Sequence, residues 1–168
     1  MPRPPLTPRR RAWFLAGLIG CLVALLGLAS PVLAAMDYAK QVLIGHDFAD
    51  ADLRGVTFNL TNLREADFNG ADLRGASLFG AKLQDTTFRG ADLRDATLDS
   101  AIFEGADLSD AVLENAFAFN TKFRDVVIAG ADFTNVPLRG DALKTLCAAA
   151  TGTNPVTGRV TRDTLGCP

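Results

Sequence analysis

Large apolar residues recur at every fifth position from Phe48 to Leu138, and Ala118 is the single exception among nineteen positions. The residue two places before each of them is Ala in twelve units, Val or Thr in six, and His46 in the first. A period of five matches neither the period of about 3.6 of a helix nor the period of two of a strand. The pattern predicts a repeat solenoid, in which each unit buries its apolar residues against its neighbours.

A single unit shows how the pattern works, and Ala71–Gly75 reads Ala-Asp-Leu-Arg-Gly. Two residues of the five point inward, the small one and the large one, and three face water. A closed coil that turns a corner at each unit satisfies this arrangement. Gly, Asn or Asp recurs two places after the large residue and tolerates the backbone of a corner. Four corners close a square, so one coil takes about twenty residues.

The run Ala71–Gly75 resembles the pentapeptide-repeat family, whose members are right-handed quadrilateral β-helices. The resemblance covers residues 46–140 without a break in phase. It implies an all-β solenoid of nearly five coils. It implies much less about function, because one repeat scaffold serves many functions.

The two ends of such a column would be open strand edges that need a cover. Residues 35–45 are predicted to form a short N-terminal cap helix with Asp37 as its N-cap. His46 is then expected to be a buried structural histidine below that helix. Residues 141–168 are predicted to form a C-terminal helical cap, with a helix that begins at Asp141 and a tail that follows it.

The first thirty-four residues resemble an export signal rather than a part of the fold. A start with four Arg and no acidic residue precedes an apolar stretch, and cleavage is predicted after Ala34 or Ala35. A permanent membrane anchor is the alternative. Arg10 and Arg11 leave the twin-arginine export route open as an alternative to the general secretory route. Cys21 lies in a sequence that matches a lipoprotein cleavage box, so a lipid attached to Cys21 is a further alternative.

Removal of the signal leaves two cysteines, Cys147 and Cys167. An even pair in an exported chain favours a disulfide, which would tie the tail to the capping helix. Two unrelated free thiols are the alternative. The segment from Leu146 to Cys167 resembles the tail of exported pentapeptide-repeat proteins of cyanobacteria and of their relatives in the thylakoid lumen. This resemblance implies the thylakoid lumen or the periplasm as the destination.

Motifs for catalysis, cofactors or metals do not occur in the sequence, which therefore predicts neither an enzyme nor a cofactor nor a metal site. Aspartates alternate with Arg54, Arg74 and Arg94 along one face, which indicates a solvated wall. Signal removal changes the formal net charge from −2 to −6, because the signal holds four Arg and no acidic residue. A DNA-mimicking topoisomerase inhibitor is the alternative function, but these arginines interrupt the negative surface that it needs.

Ala118 breaks the period of large apolar residues, and breaks in a regular pattern often mark functional sites. Phe117 and Phe119 flank it in the sequence. Both are expected to point outward, together with Phe79 two coils earlier, and to form a contact site. The alternatives are that the tail covers these rings or that one of them fills the space left by Ala118. The sequence thus predicts a non-catalytic exported scaffold, monomeric or weakly dimeric, that binds an unidentified protein. It predicts no small-molecule substrate, no nucleic acid and no membrane contact beyond the uncleaved signal.

Overall fold

A column of stacked five-residue units makes up most of residues 36–168, the part of the chain that the computed structural model describes. The predicted export segment, residues 1–34, and Ala35 lie outside these described residues. Parallel bridges join residues that are twenty positions apart and build four walls of five rungs each. Wall 1 runs from Asp37 to Phe117, wall 2 from Val42 to Lys122, wall 3 from Asp47 to Val127 and wall 4 from Asp52 to Asp132.

Each corner is a tight turn, as at Phe48–Ala51, where the Ala51 N–H donates to the Phe48 carbonyl at 3.2 Å. The third residue of this turn has a positive φ, and the same holds at every fifth residue from Lys40 to Asn135 except Asn120. Type II turns require this conformation at that position, which explains the Gly, Asn and Asp of the repeat. Asn120, two residues after Ala118, is the one corner residue of the column without it.

The interior of the column is filled by the large residue of each unit, and every such position from Phe48 to Phe133 is buried. Aromatic rings one coil apart stack directly, with centroids 4.9 Å apart for Phe48 and Phe68 and 4.8 Å for Phe68 and Phe88. Each buried side chain of this size stabilises the fold by about 1.5–3 kcal/mol relative to its exposure to water. The inward positions predicted from the period of five are therefore the core.

Two three-residue strands lie on wall 2, β1 at Ile102–Glu104 and β2 at Lys122–Arg124. They pair in parallel, with Phe103 opposite Phe123. Two helices follow the column, α1 at Gly140–Ala149 and α2 at Thr161–Thr164. Within residues 36–168 no helix is long and apolar enough to cross a membrane.

The N-terminal cap helix predicted for residues 35–45 is wrong for the described part of that segment. Residues 36–45 form two further units of the column, in which Tyr38 stacks on Phe58 with centroids 5.2 Å apart. The period extends to Tyr38 and Leu43, but Met36 and Gln41 stand where a small residue was expected. Among residues 36–168 the first coil has a neighbouring coil on one side only, so close approach of the walls does not demand a small side chain there. His46 is consequently exposed rather than buried, and its ring packs on Phe48.

The column ends at Pro137, slightly before the predicted boundary at residue 140. In the four coils that carry Thr57, Ser77, Thr97 and Phe117, the residue at this place donates its N–H to the coil beneath, as Phe117 does to the Ala96 carbonyl at 2.9 Å. Proline has no N–H to donate, so the ladder stops and Leu138 lies outside the coils. Helix α1 then packs on the top of the core, where Leu146 is fully buried. Its N-cap is Arg139 rather than Asp141, which lies in the first turn.

Candidate functional site

Three phenylalanines form an exposed aromatic group on wall 1. Phe79, Phe117 and Phe119 have 42%, 52% and 47% of their surface exposed, respectively. Phe79 and Phe119 hold the same position of the coil two coils apart, at a separation of roughly 10 Å along the column axis. Phe117 and Phe119 flank the inward Ala118, so all three rings lie on the same wall. We call these three residues the aromatic patch.

The two alternatives for these rings are both contradicted by the structure. Ala118 is completely buried while its two neighbours are exposed, so no phenylalanine has moved into the core in its place. Leu146 of α1 belongs to the same buried core as Ala118. The tail, residues 150–168, does not cover the rings either, since its hydrogen bonds to the column are with walls 3 and 4.

Leu60 extends the aromatic patch and was missed by the sequence analysis. Its side chain is 52% exposed and lies over Gly80, where a Cβ atom would be 2.7 Å from Leu60 Cδ2. Leu60 is the one apolar residue other than glycine with a positive φ in the described chain. A bulky side chain is disfavoured in that conformation. The signal was present in the sequence, because Leu replaces the usual Gly, Asn or Asp of a corner.

The polar side chains that lie on wall 1 next to the rings are hydrogen-bonded within that wall. Asn59 Oδ1 accepts hydrogen bonds from Ser77 Oγ at 2.6 Å and from the Phe79 N–H at 3.2 Å. Asp99 Oδ1 accepts one from the Asn120 N–H at 2.9 Å. These bonds hold the backbone under the rings in place, so the aromatic patch is presented on a rigid support. A rigid apolar surface with a satisfied polar surround binds a partner at a low entropic cost.

Wall 4 carries a ladder of ion pairs between aspartates and arginines. Arg54 binds Asp52 at 2.6 Å and approaches Asp72 on the next coil at 3.6 Å. The hydrogen bond from Arg54 lowers the pKa of Asp52 to about 2, and the bond from Arg74 likewise lowers the pKa of Asp72. Charges that are paired in this way and exposed to solvent contribute little to stability. Wall 4 is the solvated surface that the alternating charges indicated.

The tail completes this ladder with an arginine of its own. Arg159 Nη1 lies 3.1 Å from Glu114 Oε1, 3.1 Å from Asp132 Oδ2 and 3.1 Å from Thr134 Oγ1. Asp132 is completely buried under it. Burial alone would raise the pKa of Asp132, but hydrogen bonds from the Thr134 hydroxyl and N–H, together with Arg159, lower it. Arg159 could not be predicted from the period of five, because Arg159 lies outside the repeat.

We expect the buried carboxylate of Asp132 to make unfolding pH-dependent in acid. Its pKa is lower in the folded chain than the value of about 3.9 for an unfolded one, so its contribution is complete above roughly pH 4 and is lost as the pH falls through the folded pKa. Denaturant titrations at several pH values would show a free energy of unfolding that falls below about pH 4. The Asp132→Asn variant would show a shallower fall, and a curve parallel to the wild type would contradict this role.

The tail is fastened to the column by a disulfide and by a buried asparagine. Cys147 on α1 is bonded to Cys167, with their Cα atoms 5.7 Å apart. Asn154 is 1% exposed, and its Nδ2 donates to the carbonyls of Asp110, Ala111 and Gly130 at 3.1, 3.3 and 2.8 Å. Asn154 lies outside the repeat and was not selected by the sequence analysis. These contacts place the tail on the corner between walls 3 and 4.

Residues that could support chemistry are scattered or already bonded. Of the wall 3 carboxylates, Asp107 binds Arg89 at 2.6 Å and Asp67 accepts from Thr87 Oγ1 at 3.0 Å. No group of His, Cys, Asp and Glu side chains suited to a metal ion occurs within residues 36–168. The side chains brought together on wall 1 are exposed apolar rings, which are suited to contact with another surface.

The model of pentapeptide repeats matches residues 43–78, 76–115 and 101–140, with eight copies. This match spans more than half of the chain. The chain belongs to the pentapeptide-repeat family. The stacked walls are accordingly those of a right-handed β-helix, as the resemblance to that family implied.

Similarity to the thylakoid lumen of Arabidopsis thaliana is found both in structure and in sequence. The crystal structure of a pentapeptide repeat protein from that compartment shares 44% identity and a TM-score of 0.74, over 76% of this chain and 88% of that one. The thylakoid lumenal 15 kDa protein 1 is 60% identical over 40 residues, which are 24% of this chain and 18% of that protein. A plasmid-mediated fluoroquinolone resistance protein, QnrB1, is similar at 19% identity and a TM-score of 0.37 over 62% of this chain and 61% of that one.

Proposed function

We propose that this pentapeptide-repeat protein is a non-catalytic scaffold of the thylakoid lumen that binds a partner protein through the aromatic patch. The exposure of Phe79, Phe117 and Phe119 on one rigid wall is the observation that supports the binding site. Exposed aromatic residues of this kind are enriched at the centres of protein interfaces. Members of the family generally serve as structural or interaction modules.

The similarity in structure and in sequence to proteins of the thylakoid lumen supports the proposed location. A lumenal chain would be exported by the predicted signal and would work among photosynthetic membrane complexes, in their assembly, maintenance or regulation. Fractionation of the cell with an antibody against the mature chain tests the location directly. Recovery from the cytoplasm would contradict it.

Replacing Phe79 and Phe119 with Ser is expected to weaken binding of the partner by tenfold or more, since an aromatic anchor contributes about 2 kcal/mol. Circular dichroism and the melting temperature should remain close to those of the wild type, because neither ring fills the column. The measurement is a crosslinking pull-down from a thylakoid lumen extract with the variant and the wild type side by side.

Val127→Ser is the matched control for this experiment. Val127 is 49% exposed and lies on wall 3, opposite the aromatic patch. Its replacement removes an exposed apolar side chain from a wall that is not proposed to bind. Equal retention of the partner by the control and by the double variant would refute the binding site while leaving the fold intact.

A further inference from the structure

The upper edge of wall 2 is an open strand edge. Strand β2 bonds to the coil below it through the Lys122 N–H, which donates to the Ala101 carbonyl at 2.9 Å, and through the Arg124 carbonyl, which accepts from the Gly105 N–H at 3.0 Å. In a parallel ladder, alternate residues of a strand direct their backbone N–H and carbonyl groups to opposite neighbouring strands. The N–H and carbonyl of Phe123 therefore point away from β1, and no residue of the described chain bonds to them.

The neighbouring edges of the same coil are covered by the tail. The Gly130 N–H donates to the Thr151 carbonyl at 2.8 Å, and the Phe133 N–H donates to Thr164 Oγ1 at 3.1 Å. The tail thus supplies the missing bonds on walls 3 and 4 but not on wall 2. An uncovered strand edge next to covered ones is a place where another strand adds.

A groove of about 730 Å³ runs along the outer side of wall 2, from Gln84 two coils below β2 up to α1. Its lining includes Phe123 and Arg124 of β2, Ala142 and Thr145 of α1, and Arg139 between them. A strand bonded to Phe123 would lie about 4.8 Å from β2, within this groove. The central residue of that strand would point inward as Phe123 does, toward the core that Ala142 and Leu146 of α1 already fill, so it has to be small.

The groove as a whole is lined by both signs of charge, since Glu104, Asp125 and Asp141 lie beside Lys122, Arg124 and Arg139. The charges directly beneath an added strand are the ones that define the occupant. Lys122 and Arg124 are exposed on either side of Phe123, and they would lie directly beneath the two flanking side chains of an added strand. Arg124 already has one partner, Glu104, at 3.1 Å, whereas Lys122 has no carboxylate within ion-pair distance among residues 36–168. Acidic side chains in the added strand would pair with both.

We propose that wall 2 binds an extended acidic segment of a partner protein, which adds to β2 as a parallel strand. The segment has the pattern acidic–small–acidic. The carbonyl of its first acidic residue accepts from the Phe123 N–H, and the N–H of its second acidic residue donates to the Phe123 carbonyl. This site is separate from the aromatic patch, so a failure of one leaves the other unaffected.

The test is a titration of the ¹⁵N-labelled mature chain with the blocked peptide Thr-Thr-Glu-Ala-Glu-Thr-Thr, followed by NMR. The largest shifts are expected at the amides of Phe123 and Asp125, and the Phe123 amide should exchange more slowly with solvent. Methylation of the second glutamate nitrogen removes the donor to the Phe123 carbonyl, so binding should fall at least tenfold. A peptide with Lys in place of both Glu should also bind at least tenfold more weakly.

Lys122→Glu should reduce binding of the acidic peptide by tenfold or more and improve binding of the lysine peptide. Lys82→Glu is the matched control, because Lys82 lies on the same wall two coils below the edge. No shift at millimolar peptide, equal binding of the methylated peptide, or shifts centred elsewhere would each overturn the proposal. Dimerisation of the chain through the same amides would overturn it as well, since the occupant would then be a second copy.

Discussion

Leu93→Asp is expected to unfold the middle of the column. Leu93 is completely buried on the inner side of wall 4. Leu113 lies one coil above it and Leu73 one coil below it. A carboxylate at this site would have no cation beside it, and an unpaired buried charge costs several kcal/mol. A domain of this size has a total stability of about 5–15 kcal/mol, so most of it would be lost. Circular dichroism and thermal melting would show the loss directly.

Arg94→Gln is the control for this prediction, because it changes the next residue on the outer side of the same wall. Arg94 pairs with Asp92 at the surface, so its replacement should cost at most about 1 kcal/mol. A solenoid is held together by contacts between neighbouring coils, so damage in the middle separates the two halves. Equal melting temperatures for the two variants would mean that the assignment of inward and outward positions is wrong.

Replacement of Cys147 and Cys167 by Ser is expected to lower the free energy of unfolding by roughly 3 kcal/mol, the value for a loop of this length in the chain-entropy model. The bond closes a loop between residues separated by twenty positions and ties the end of the chain to α1. Without it the tail should loosen, and the ion pair of Arg159 with Asp132 should weaken with it. Denaturant titration measures the first effect.

Hydrogen exchange distinguishes the tail from the column in the same variant. Amides from Thr151 onward should lose protection, whereas the amides of the middle coils should keep theirs because their bonds are to neighbouring coils. Addition of reductant to the double variant is the control and should have no further effect. Alkylation of two free thiols in the native, non-reduced wild type would contradict the disulfide.

The repeat itself could be predicted from the sequence because its physics is local. Every unit meets the same surroundings, so a period of five determines which residues face inward, which face water and where the corners fall. Phe79 and Phe119 were assigned to one outer wall by counting twenty residues to a coil, and the structure places them there. The predicted pairing of Cys147 with Cys167 rested on an even number of cysteines in an exported chain, and the structure contains that bond.

The ends of the column were decided only by the tertiary structure. At the first coil, Tyr38 continues the period, but the small residue of the unit is missing because no coil lies below it in the described chain. At the last coil, the tail folds back onto walls 3 and 4 through Asn154 and Arg159, which bond to residues between 24 and 45 positions earlier. These contacts occur once rather than in every coil, so the period of five does not predict them. The sequence by itself determined how one coil packs on the next, and the tertiary structure decided which edges remain free, because an edge is covered by whatever part of the chain happens to reach it.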